Sequence, residues 1–152
     1  MLLALLVLCA GLPAVVAAPQ PAHAQRSPNR IGVGAQVGRP SGFTAKLYRH
    51  AQLAYDLSLG WNVRDVMVVE AHRTHEWPLP DSPLHLFVGP GLFAGLDEAP
   101  RRNRATLGIS GALGLNFFRE RFEVFMQTTP RMRLYPATQA RLGGGVGLRY
   151  FF

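Results

Sequence analysis

From Ile31 onward, apolar and polar residues alternate with period two, and turn residues interrupt the pattern at short intervals. This period belongs to β-strands, whose successive side chains point to opposite faces. Residues 31–37 set Ile31, Val33, Ala35 and Val37 against Gly32, Gly34 and Gln36, and residues 38–42 turn the chain. The second segment, 43–49, has Phe43, Ala45 and Leu47 opposite Thr44, Lys46 and Tyr48. The third, 53–61, alternates Leu53, Tyr55, Leu57, Leu59 and Trp61 with Ala54, Asp56, Ser58 and Gly60. After a turn at 62–65, a fourth runs over about 66–77. Met67, Val69, Ala71 and Trp77 form one face, interrupted by Arg73 and His75, and Glu70, His72, Thr74 and Glu76 form the other. Three prolines in residues 78–83 end it. The fifth places Leu84, Leu86, Val88, Leu92 and Ala94 against His85, Phe87, Gly89, Gly91 and Phe93. Residues 95–104 read as the longest connection. The sixth opposes Leu107, Ile109, Leu113 and Leu115 to Gly108, Ser110, Ala112, Gly114 and Asn116. Following a turn at 118–121, the seventh sets Phe122, Val124, Met126, Thr128 and Met132 against Glu123, Phe125, Gln127, Thr129, Arg131 and Arg133. The eighth pairs Leu142, Val146, Leu148, Tyr150 and Phe152 with Arg141, Gly143, Gly145, Gly147, Arg149 and Phe151.

Eight short strands with short connections predict an all-β fold, an eight-stranded antiparallel up-and-down barrel over residues 31–152. Closure removes the unpaired edges that an open sheet would expose. Which face lies outside decides the class. In a transmembrane barrel the apolar rows face lipid and the interior is polar. The interior would then collect Lys46, Asp56, Glu70, His72, Glu76, Glu123, Arg131, Arg141 and Arg149 as a charge network, with glycines making room for long arginines. Within that network Lys46, Arg131, Arg141 and Arg149 are expected to pair with Asp56, Glu70, Glu76 or Glu123. In a soluble periplasmic barrel of the lipocalin kind, the apolar rows would point inward around a small apolar ligand. Alternation alone is symmetric between the two.

The first 22 residues carry no charged side chain and are followed by Ala22-His23-Ala24, a small-x-small pattern. Residues 1–24 read as a secretory signal peptide cleaved before Gln25, and 25–30 as a polar leader. Cys9, the single cysteine, would leave with the signal, which excludes a disulfide scaffold and a cysteine zinc site in the mature chain. A signal peptide, strands near the ~9–11 residues that span a membrane, and the aromatic C-terminus all favour the transmembrane alternative. Leu148, Tyr150 and Phe152, in register on the last strand, look like the signature read by the bacterial barrel-assembly machinery.

Composition narrows the chemistry. The 152 residues are 48% hydrophobic and 16% charged, with 16 glycines, 12 prolines and a formal net charge of +7. That balance excludes a disordered polyelectrolyte. Lys46 is the single lysine, against a long helical bundle. His72 and His75, three apart on a strand, point to opposite faces. His72 and His85 share the inner face but suit hydrogen-bonded histidines better than a metal site, so no metal and no cofactor are expected. The run from Gly143 to Gly147 lacks the lysine and helix of a phosphate loop. Ser58 and Ser110 are interior serines with no histidine paired to either in sequence, so the chain reads as non-enzymatic, with a lipid A-modifying enzyme as a further alternative. A pore is not expected, because side chains fill a barrel of this size.

Several stretches resemble a family of small bacterial outer-membrane β-barrel proteins of the OmpA/OmpX type, for which no activity is established. Gly32-Val33-Gly34, Gly38, Pro40 and Gly42 are similar to its N-terminal glycine block. Ala45-Lys46-Leu47-Tyr48 and Leu59-Gly60-Trp61 match its next elements, and residues 125–136 and 143–152 match its C-terminal run. Where the family tends to be acidic, this chain has Gln127-Thr128-Thr129-Pro130 and Gln139-Ala140-Arg141, and it carries Arg131 and Arg133 in the same run. The interior is therefore expected to be shifted toward basic. The resemblance implies an eight-stranded barrel in the outer membrane.

With both termini in the periplasm, residues 95–104 face outward. Arg101, Arg102 and Arg104 in that connection are candidates for contact with lipopolysaccharide phosphates or another polyanion. The expected partners are outer-membrane lipids, lipopolysaccharide, the barrel-assembly machinery and an unidentified extracellular ligand. No nucleic acid is expected, since the basic residues are spread through a barrel. A monomer with an adhesin-like or structural role is the expected state.

Overall fold

The computed structural model describes residues 30–61, 65–97 and 104–152. The expected signal peptide, residues 25–29 of the leader, and Arg101 and Arg102 lie outside them. Every described element is a strand: β1 (Ile31–Arg39), β2 (Ser41–His50), β3 (Leu53–Trp61), β4 (Asp65–Pro78), β5 (Leu84–Asp97), β6 (Arg104–Arg119), β7 (Phe122–Tyr135) and β8 (Gln139–Phe151). Each pairs antiparallel with its sequence neighbours, and β1 pairs with β8 to close the barrel.

The apolar rows face out. Leu57 is 51% exposed and Leu148 48%, whereas Lys46 and Arg149 are each 1% exposed. This is the inverse of a lipocalin, so the soluble alternative fails on the orientation of its own apolar rows. Aromatic side chains gather near both ends of the outer wall. Trp77, Phe122, Tyr150 and Phe152 lie toward the end with the termini, and Phe43, Trp61 and Tyr135 toward the other.

The connection expected at 95–104 is shorter than its sequence suggested. Gly95, Leu96 and Asp97 continue β5 and pair with Thr106, Ala105 and Arg104, so Arg104 begins β6 instead of lying in a loop. The cause is inside the barrel: Asp97 turns inward to meet Arg133 and Arg141.

Several inner glycines make room for rings. A methyl group at Gly32 would collide with the Phe151 ring, and one at Gly147 with the Phe125 ring. Gly114 and Gly108 stand in the same relation to Phe87 and Phe93. One glycine does serve an arginine, Gly143 beside Arg131.

Candidate functional site

The interior is built in layers because inward residues recur at every second position and neighbouring strands hold them in register. At the end with the termini, Tyr48, Phe118 and Phe151 form an aromatic floor with Ala54. Tyr48 reaches upward, its hydroxyl donating to Glu76 Oε1 at 2.8 Å.

Above the floor lies the central polar layer. Lys46 Nζ is bound by Glu76 and donates to Glu123 Oε1 at 3.0 Å. Asn116 Nδ2 donates to both carboxylates, at 2.9 and 2.7 Å. Arg149 links Glu123 Oε2, at 3.1 Å, to Asp56 Oδ1, at 2.8 Å. Its Nε and Nη2 also donate to Thr44 Oγ1, and the guanidinium lies 3.9 Å from the Phe125 ring centroid. Thr74 donates to Asp56 Oδ2 at 2.7 Å. These charges are held by ionised hydrogen bonds to partners on six strands, the geometry in which buried ion pairs are tolerated. Phe87, Ala112 and Phe125 form an apolar cluster beside it.

The next layer holds the Arg131–Glu70 ion pair, with Ser58 donating to Glu70 Oε2 at 3.4 Å. Here Ser110 Oγ lies 2.9 Å from His72 Nε2. Sequence reasoning left Ser110 without a histidine. The two are 38 positions apart and meet because β5 stands between them with Gly91, whose missing side chain clears the path.

The far mouth is ringed by Arg133, Arg141 and Asp97. Arg133 Nη1 is 2.6 Å from Asp97 Oδ2 and its Nη2 donates to Gln139 Oε1 at 2.6 Å. Arg141 Nη2 lies 3.4 Å from the same Asp97 oxygen. Two expectations are corrected here. Arg141 pairs with Asp97, a carboxylate that the sequence reading places in the outer connection. Among the described residues Asp97 also joins Asp56, Glu70, Glu76 and Glu123 inside, five carboxylates beside the five cations Lys46, Arg131, Arg133, Arg141 and Arg149, a balance and not a basic excess. A space of about 10 Å³, roughly one water molecule, lies below this mouth among Phe93, Thr106, Arg131 and Arg133.

Arg104 is exposed on the rim opposite Asp97. Leu148, Tyr150 and Phe152 follow one another on the outer face of the chain's end, where Tyr150 packs between Phe122 and Phe152 at 5.2 Å from each ring. His85 is inward and buried. Among the described residues, no three His, Cys, Asp or Glu side chains converge as a metal site would require.

Two solved structures share this architecture. The N-terminal β-barrel domain of Pseudomonas aeruginosa OprF superposes with a TM-score of 0.66 and 15% identity, over 82% of this chain and 98% of that one. Neisserial surface protein A (NspA) superposes with a TM-score of 0.52 and 13% identity, over 81% of this chain and 94% of that one. No family model matches the sequence, and no curated protein matches it significantly. The fold is that of the eight-stranded outer-membrane barrels of the OmpA/OmpX type.

Proposed function

We propose that the chain is an integral outer-membrane barrel with a structural and surface-contact role, non-enzymatic, its interior closed to ions by the central charge layer. One observation carries this: large apolar side chains cover the outer wall while Lys46, Glu76, Glu123 and Arg149 lie at 0–1% exposure inside it. A water-soluble barrel gains nothing from that inversion, whereas lipid rewards it. Strands of 9 to 16 residues suffice to span. The outward row of Leu148, Tyr150 and Phe152 supports recognition by the barrel-assembly machinery. Arg104 on the rim, with Arg101 and Arg102 close by in sequence, supports contact with lipopolysaccharide or another polyanion.

The test is fractionation followed by planar-bilayer recording. We expect the protein in the outer-membrane fraction and no stable conductance from the purified barrel. Recovery in the soluble periplasm overturns the membrane assignment, and steady ion current overturns the closed interior.

The Ser110–His72 contact is the observation that favours a hydrolytic reading. The neighbouring carboxylates are engaged elsewhere, Glu70 by Arg131 and Ser58, and Asp56 by Arg149 and Thr74. A serine–histidine pair without an orienting acid is a poor nucleophile. Esterase or deacylase activity lost in Ser110→Ala would establish that reading.

A further inference from the structure

Two prolines stand within strands of the closed wall, Pro90 in β5 and Pro130 in β7, both facing outward. A proline has no N–H to give a neighbouring strand. The ladder is interrupted at both. Pairing of β4 with β5 skips Arg73 and Thr74, between His72↔Gly91 and His75↔Val88. Pairing of β6 with β7 skips Gly111 and Ala112, between Ser110↔Arg131 and Leu113↔Thr128. Carrying the register across each gap sets Arg73 opposite Pro90 and Gly111 opposite Pro130. Pro90 has no N–H to offer the Arg73 carbonyl there.

A groove of about 490 Å³ on the outer wall lies over the first gap, its lining including Ala45, Tyr55, Leu57, Ala71, Arg73 and Pro90. Ala45 and Ala71 make it deep, because they are small among larger neighbours. Its volume falls in the range of small-molecule sites. Arg73 is exposed on this wall, and among the described residues no carboxylate pairs with it. A lipid-facing arginine is costly at the bilayer midplane and much less so toward an interface. Arg73 lies nearer the Pro78 end of β4, level in the ladder with Tyr55.

We propose that this groove binds one anionic phospholipid from the leaflet on the side of the chain termini. Its phosphate sits on the Arg73 guanidinium, an acyl chain runs over Ala45 and Ala71, and a headgroup hydroxyl donates to the Arg73 carbonyl. The proposal rests on the membrane reading above, which fractionation tests separately.

The experiment is native mass spectrometry of the intact barrel, released from detergent containing equal phosphatidylglycerol and phosphatidylethanolamine. The wild type is expected to retain phosphatidylglycerol preferentially by about fivefold, the worth of one arginine at an anionic surface. Arg73→Gln should abolish the preference and Arg73→Lys should keep most of it, which controls for folding. Ala71→Leu, filling the groove with the charge intact, should reduce retained lipid. Equal retention of both lipids by the wild type, or an unchanged preference in Arg73→Gln, overturns the site. Displacement of phosphatidylglycerol by added lipopolysaccharide in an Arg73-dependent manner would assign the groove to the opposite leaflet and overturn the proposal as stated.

Discussion

Lys46 is the single lysine of the chain, and its ammonium sits between two buried glutamates. A flexible stem carrying a compact charge suits that position, because three donors can reach Glu76 and Glu123 together. An arginine serves the neighbouring position, where Arg149 spreads its planar fork over Glu123, Asp56 and Thr44. Removing Lys46 would leave two carboxylates facing each other across Asn116. We expect Lys46→Met to destabilise the barrel by about 3–5 kcal/mol, the cost of breaking a buried pair. The double variant Lys46→Met/Glu76→Gln should recover part of that loss. Urea unfolding of the refolded protein in micelles, followed by tryptophan fluorescence, measures both, and equal stability of wild type and Lys46→Met would show the pair to be dispensable.

At the scale of the strand, glycine and phenylalanine work as cross-strand partners. Gly32 in β1 underlies Phe151 in β8, and the three atoms nearest a methyl group there would all belong to the Phe151 ring. Gly32→Ala should therefore cost about 1–3 kcal/mol by overpacking. The penalty should shrink in a Phe151→Leu background, since the two positions are coupled, and unfolding of the four proteins of that cycle checks it. An undiminished penalty would mean that the strain lies in the backbone and not against the ring. The faces of all eight strands were legible in the sequence, because period two survives even where Arg73 and His75 interrupt the apolar row. The end of β5 and the start of β6 were not. Asp97 and Arg104 look like loop residues until the barrel interior supplies Asp97 with Arg133 and Arg141 as partners. The meeting of Ser110 with His72 was also hidden, since it depends on the registers of two successive strand pairs and on Gly91 having no side chain. The pairing of Arg141 is hidden for a different reason, since it depends on β5 running on to Asp97.

At the scale of the whole molecule, the charges paired inside the described barrel cancel, and the formal charge of +7 rests on the remaining residues. Arg39 and Arg104 stand at the mouth, with Arg101 and Arg102 nearby in sequence. Replacing Arg101, Arg102 and Arg104 together with Gln should weaken binding of lipopolysaccharide or heparin without unfolding the barrel. The wild-type interaction should fade with salt, because exposed charges are screened over about 8–10 Å at physiological ionic strength. Surface plasmon resonance across a salt series checks this, and unchanged affinity in the triple variant would leave the rim without a role in polyanion contact. The pairing of β1 with β8 has a consequence in time. Gly32 opposes Phe151 and Gly34 opposes Arg149, so the first strand of the barrel must wait for the last. Until the end of the chain has been delivered, the sheet is an open ribbon with two raw edges, each a template for pairing with the wrong chain. Bringing such distant segments together carries the loop-closure entropy of nearly the whole domain. Closure is thus the final committed step, and a chain cut short by one strand would remain an adhesive sheet in place of a barrel.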